Sequence, residues 1–163
     1  MKKHDAISYN NILLAVGIIV LFVLCVVSIS APMRFADERK TREQIVMERL
    51  REIRQAEEDY REKHGTYCND IDRLAKEMKM NDETRFIPGA GKKKWRISTA
   101  TVPGSNGKTI VLMECGAKYD DYLHGLDQQE IDRLNAEAEQ ANKYPGLKIG
   151  NIVTPNNNAG NWE

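Results

Sequence analysis

RFADERKTREQIVMERLREIRQAEEDYREKH, residues 34–64, contains no glycine or proline and consists almost wholly of helix formers. It predicts one long helix. Opposite charges stand four apart at Glu38/Arg42, Arg39/Glu43, Arg54/Glu58, Glu57/Arg61 and Asp59/Lys63, each pair adding roughly a few tenths of a kcal/mol. The apolar side chains make one narrow seam of Val46, Leu50, Ile53 and Tyr60, with Ile45, Met47 and Ala56 beside it. Such a seam either packs on the domain's own sheet or meets a helix of another subunit. The turns up to Glu43 are mostly charged and read as a solvated stalk.

Upstream lies NILLAVGIIVLFVLCVVSIS, residues 11–30. Its 18 residues 12–29 carry no charge, and as a helix they span about 27 Å, one hydrocarbon core. A cleaved signal peptide would share the basic start at Lys2 and Lys3 and the small residues Ser28 and Ser30. The apolar run is nevertheless longer than a typical signal core of about 7–15 residues, which favours a retained anchor. Leu24 before Cys25 argues against a lipoprotein site, and the domain is too small to surround an all-round apolar helix. Gly17 has no small residue four positions away, so no small-xxx-small dimer face arises. Lys2 and Lys3 precede the run and Arg34, Arg39, Lys40 and Arg42 follow it, a count that alone favours a cytoplasmic C-terminal domain. A short tail left inside, and cysteines that could pair in an oxidising compartment, favour a cytoplasmic N-terminus and an exported C-terminal domain.

The expected organisation is a tail over 1–11, a transmembrane anchor over 12–30, a charged helical stalk over 31–44, an α/β domain over 45–153 and a flexible polar tail over 154–163. The 163 residues hold 24 Lys plus Arg against 24 Asp plus Glu. That balance leaves no global basic field to attract nucleic acid.

Pro32 predicts a kink or a fresh helical start. Gly65 stands where the long helix should stop. Asn69 or Asp70 can cap a short helix over 71–80, and Pro88, Gly89 and Gly91 mark a loop over 81–93. Strands follow at 94–102 and 109–117, joined by the turn sequence PGSNG, and the more apolar second strand reads as the central one. Asp127 caps a helix over 127–143, with Glu130 placed for a capping box. A third strand is expected at 147–153, and Trp162 is the one tail residue that could dock. The fold class is α+β: an N-terminal transmembrane helix, then a long amphipathic helix packed on a small antiparallel sheet, with a further C-terminal helix.

The order of anchor, long helix, Gly-Thr-Tyr turn, short helix and antiparallel sheet resembles the type IV pilins and type II secretion pseudopilins. The likeness rests on Ala56, Tyr60, Gly65, Tyr67 and Leu74. Members of those families carry a Gly-Phe-Thr-like cleavage site followed by a glutamate, whereas Ile7, Ser8, Tyr9, Asn10 and Asn11 lead into the apolar run here. Processing and helix-core polymerisation are therefore not carried over. The plan is also similar to the single-pass assembly-platform proteins of those machines. The resemblance implies a pilin-like, non-enzymatic structural or assembly component of a bacterial envelope machine, in the inner membrane with a periplasmic domain. Its partners would be other envelope proteins or further copies of itself.

Few residues of the chain stand in a pattern that carries chemistry. His4, His64 and His124 are scattered without metal-ligand spacing, Gly89 and Gly91 precede a strand and not a helix, and no nucleophile motif occurs. No enzyme activity, cofactor, metal or small-molecule substrate is expected. Cys68 and Cys115 are candidates for a disulfide, contributing about 3–4 kcal/mol if formed, or else two buried thiols. The contact candidates are Val46, Leu50 and Ile53 on the seam and Lys92, Lys93, Lys94 and Trp95 in the one basic cluster, which alternatively guards a strand edge. The competing function is an extracytoplasmic module that binds or senses a small ligand or peptide, with Trp95, Tyr119 and Tyr122 around a pocket.

Overall fold

The structure is a computed structural model that describes residues 9–104 and 108–163, with the side chains at 10 and 27–32 outside the description. Helix α1 runs from Tyr9 to His64, α2 from Ile71 to Glu77, α3 from Tyr119 to Tyr122 and α4 from Gln128 to Gln140. Strands β1 (Arg96–Pro103), β2 (Thr109–Lys118) and β3 (Gly146–Gly150) form one antiparallel sheet in the order β1-β2-β3. The fold is α+β, with the long helix packed on the three-stranded sheet and α4 beside it.

The chain divides into two units, Met1–Glu38 and Arg39–Glu163. In the first, the described residues are all helical, and Tyr9 and every described side chain over 11–26 are exposed. Among the described residues no helix is long and apolar enough to cross a membrane. The anchor expected over 12–30 includes residues 27–30, whose side chains lie outside the described residues. The α1 backbone continues past Pro32, where the sequence predicts a kink or a fresh start.

The second unit begins at Arg39, within the stretch read as stalk. The reason is specific bonding. Arg39 donates to Glu43 at 2.8 Å and lies over the Tyr119 ring, and Arg42 donates to the carbonyls of Tyr122 and His124 at 3.1 and 2.9 Å. These charged residues serve the domain and not only the solvent.

Local signals place the elements. Gly65, at φ +74, ends α1 with its N–H on the Arg61 carbonyl at 2.8 Å. The Asp70 side chain caps α2 by accepting from the N–H groups of Asp72 and Arg73. Asp127 caps α4 through Gln129 N–H, and Asn142, left-handed at φ 50, closes its far end. A 3-10 turn over Asp82–Arg85, capped by Asn81, occupies part of the expected loop. Of the turn expected at PGSNG, residues 103–107, the last three lie outside the described residues. β2 is central, as its apolar content predicts. Ile97, Met113, Cys115, Ala117, Leu147 and Ile149 supply the buried face of the sheet, and Ile131, Leu134 and Ala138 that of α4.

The C-terminal segment is a correction. It is not a flexible tail but a docked one, because its asparagines bond where its sparse apolar residues cannot pack. Gly150 N–H donates to Ala159 C=O at 3.1 Å, Asn161 N–H to Lys148 C=O at 3.0 Å, and Gly160 bridges Ile149. Arg54 pairs with Glu163 at 2.9 Å, and Arg51 lies over the Trp162 ring. Asn158, left-handed at φ 54 and buried, donates to Tyr67 Oη at 2.7 Å and to Glu58. Asn158→Ala loses these bonds and strains the backbone, so it should cost about 2 kcal/mol. Asn158→Gly, which keeps the backbone geometry, should cost less. Urea unfolding of both variants checks the order.

Candidate functional site

Val46, Leu50, Ile53 and Tyr60 follow one another along α1 with a gap where residue 57 falls, and residue 57 is a glutamate. The structure buries the whole line. Val46, Leu50, Ile53 and Glu57 are each 0% exposed. The seam is therefore the domain's own core, which corrects the reading of Val46, Leu50 and Ile53 as a contact surface.

Glu57 is the anomaly in this core. Its Oε2 accepts the Cys68 N–H at 2.9 Å, while Oε1 has no hydrogen-bond partner among the described residues. Burial pushes its carboxyl up to about 7. The Cys68 N–H and the Arg73 charge on α2 pull it back, and neighbouring Glu58 pushes it further. From the sheet side, Cys115 on β2 feels the Glu57 charge. Its thiol is driven far above the usual range, first by burial and then by Glu57 and Glu114. Cys68, on the loop after α1, donates its thiol to Asp70 C=O at 3.2 Å and receives Arg73 Nε at 3.3 Å.

Cys68 and Cys115 are both buried and free, so the structure does not join them as the disulfide weighed from the sequence. The Cys68 backbone N–H instead donates to the Glu57 carboxyl, whose charge also raises the Cys115 thiol. The centre is closed to solvent, and as folded it can take up or release a proton. Among the described residues no group of three or more His, Cys, Asp or Glu could hold a metal ion.

A second feature is an open groove of about 600 Å³ with walls from α1, α4, β3 and the C-terminal segment. Tyr119, Tyr144, Leu134 and Trp162 give it aromatic and apolar walls, and Arg39 and Lys143 bring charge. Arg39 is held by Glu43, and Lys148 by Glu114 at 2.7 Å with its ammonium over the Tyr144 ring. Burial and the nearby acids Asp121 and Glu114 push the Tyr144 hydroxyl up to about 12.

The expected trio of Trp95, Tyr119 and Tyr122 does not assemble here. Tyr119 lines the groove, but Tyr122 and Trp95 are buried in the core. Trp95 is thus no surface contact either, because it is only 3% exposed. Lys92, Lys93 and Lys94 are exposed, but Lys93 pairs with Asp121 and Lys94 with Asp72, the latter at 2.6 Å. Much of the basic cluster therefore fastens the loop before β1 to α2 and α3.

Sequence reasoning missed Glu57, although its position in the 50, 53, 57, 60 spacing was a usable signal. No protein-family model, curated protein or solved structure matches the chain.

Proposed function

We propose that this chain is a membrane-anchored structural or assembly component that works through protein–protein contacts, its α+β domain carried on a single apolar helix. The observation that supports this reading is the exposed apolar run of α1. Ile12, Leu13, Leu14, Ile18, Ile19, Leu21, Phe22 and Leu24 are each at least 50% exposed. Water does not tolerate such a surface on one helix, whereas lipid covers it without penalty. A bacterial inner-membrane location, a domain on the periplasmic side and a pilin-like role belong to the same proposal. They are supported by the residue pattern at Ala56, Tyr60, Gly65, Tyr67 and Leu74 and by the helix-on-sheet layout.

The native cysteines are poor reporters of topology, since Cys68 and Cys115 are buried. A Lys92→Cys variant in a Cys25→Ser background places an accessible thiol on the domain. In intact cells it should react with a membrane-impermeant maleimide, and the protein should stay in the membrane pellet after alkaline extraction. Release into the alkaline supernatant would overturn the anchor, and labelling only after lysis would reverse the orientation.

The groove supports a second reading, a ligand-binding or sensing module, because its aromatic walls and volume suit a small molecule or a peptide side chain. A ligand-dependent rise in melting temperature, lost in Tyr119→Ala, would favour that reading.

A further inference from the structure

The two edges of the sheet are treated differently by the chain. The β3 edge is covered by the C-terminal segment, through Gly150, Ile149 and Lys148. The β1 edge is covered only at its start, where Trp95 N–H donates to Arg85 C=O at 3.2 Å and Lys94 bridges Phe86. Beyond Arg96, no described residue pairs with its outer side.

Which groups point outward follows from alternation along the strand. Gly104 N–H donates to Lys108 C=O across the hairpin, so the even-numbered residues of β1 turn their backbone groups toward β2. The odd-numbered ones, Ile97, Thr99 and Thr101, turn theirs away. Pro103 shares this outward set, and having no N–H it loses nothing there. Proteins commonly protect such an edge with charge, a bulge or a covering segment. Residues 97–103, ISTATVP, are β-branched at Ile97, Thr99, Thr101 and Val102 and carry no charge at all. The lysines that the sequence offers as guards lie before the strand, and two of them are tied to Asp72 and Asp121.

We infer that the β1 edge is a self-association surface, on which a second copy of this chain adds its own β1 in antiparallel register about Thr99. That register is selected by the backbone groups. With Thr99 opposite Thr99, Ile97 falls opposite Thr101, and every outward N–H and C=O of the three residues finds a partner. The place beyond, beside Trp95, is filled by the Arg85 backbone, so the pairing ends at Ile97 and Thr101, and Pro103, having no N–H, loses no bond by turning away there. Centring on Ala100 would instead set Ile97 against Pro103, which has no N–H to donate to the Ile97 C=O. Side chains agree with the choice: Arg96 faces Val102 and Ser98 faces Ala100, and no like charges stand opposite one another. The pairing depends on β1 alone and not on the membrane reading.

Thr99 is exposed, so charge can be placed there without touching the core. The full chain in mild detergent should behave as a dimer by light scattering. Thr99→Lys and Thr99→Glu each set like charges face to face, and each alone should weaken self-association roughly ten-fold. An equimolar mixture of the two should form dimers again, since lysine then meets glutamate. Unchanged circular dichroism melts of the two variants establish that both are folded. A wild-type monomer at all concentrations would overturn the proposal, whatever else binds the edge. Thr99→Lys alone dimerising as tightly as the natural chain would also overturn it, by placing the interface elsewhere, and so would a mixture that dimerises no better than either variant by itself.

Discussion

Glu57→Gln is expected to abolish most of the fall in stability that the natural protein suffers between about pH 4.5 and 7. The Glu57 carboxyl sits at 0% exposure with one oxygen unpartnered, and its folded value is raised from 4.5 to about 7. In that window the folded state holds a proton that the unfolded state has already released. Stability therefore falls as pH rises. It is fully present below the unfolded value and lost by the time pH passes the folded one. The displacement corresponds to about 3 kcal/mol.

Glutamine keeps an oxygen for the Cys68 N–H and never ionises. Its amide nitrogen must occupy the side where Oε1 finds no partner, which costs about 1–3 kcal/mol. At low pH the variant should be no more stable than the natural chain, and somewhat less so. Above pH 7 the difference should shrink or reverse in favour of the variant. Urea unfolding at intervals from pH 4.5 to 8 reads the two slopes directly. Parallel slopes would show that water reaches Glu57 and would remove it as a proton-linked centre. Glu57→Ala is the control, because it frees the buried Cys68 N–H and leaves a cavity, and should destabilise at every pH.

The way Glu57 escaped the sequence shows where local reasoning ends. Spaced four residues from Arg61, it reads as half of an exposed ion pair. In the fold Arg61 turns to Glu58 at 2.6 Å and to Tyr67, and Arg54, expected opposite Glu58, goes to Glu163 at 2.9 Å. Charges on a long helix have several partners within reach, and tertiary neighbours settle the choice. Signals that act within a few residues were legible: Gly65 as the stop of α1, Asp70 and Asp127 as caps, and the apolar content that makes β2 central. The C-terminal segment was not legible in the same way. Its order depends on Asn158 meeting Tyr67 and on Asn161 meeting the β3 backbone, contacts of 91 and 13 residues' separation that no composition rule encodes. Trp162 was the one sign, since an isolated aromatic in a polar tail calls for a surface to cover.

Leu50→Ala separates the two uses of the α1 seam. If the seam met another subunit, truncation would leave the isolated chain as stable as before and weaken only the assembly. The structure gives the other answer, because Leu50 is 0% exposed, flanked along the seam by Val46 and Ile53, also at 0%. Removing a buried leucine side chain loses its transfer free energy and opens a cavity that a helix pinned on a sheet cannot close, about 3–4 kcal/mol in all. For a domain of this size that lowers the melting temperature by roughly 10 °C or more. Ile45→Ala supplies the comparison, since Ile45 is next to the seam in sequence but 43% exposed, and it should cost well under half as much. Melting both variants at a concentration where the natural chain is monomeric gives the result directly. Equal, small losses for Leu50→Ala and Ile45→Ala would mean that the seam is not the core and that α1 can leave the sheet. A large loss confined to Leu50→Ala would remove the seam from the contact surfaces, leaving the uncovered β1 edge and the exposed apolar run of α1 to carry any assembly the protein makes.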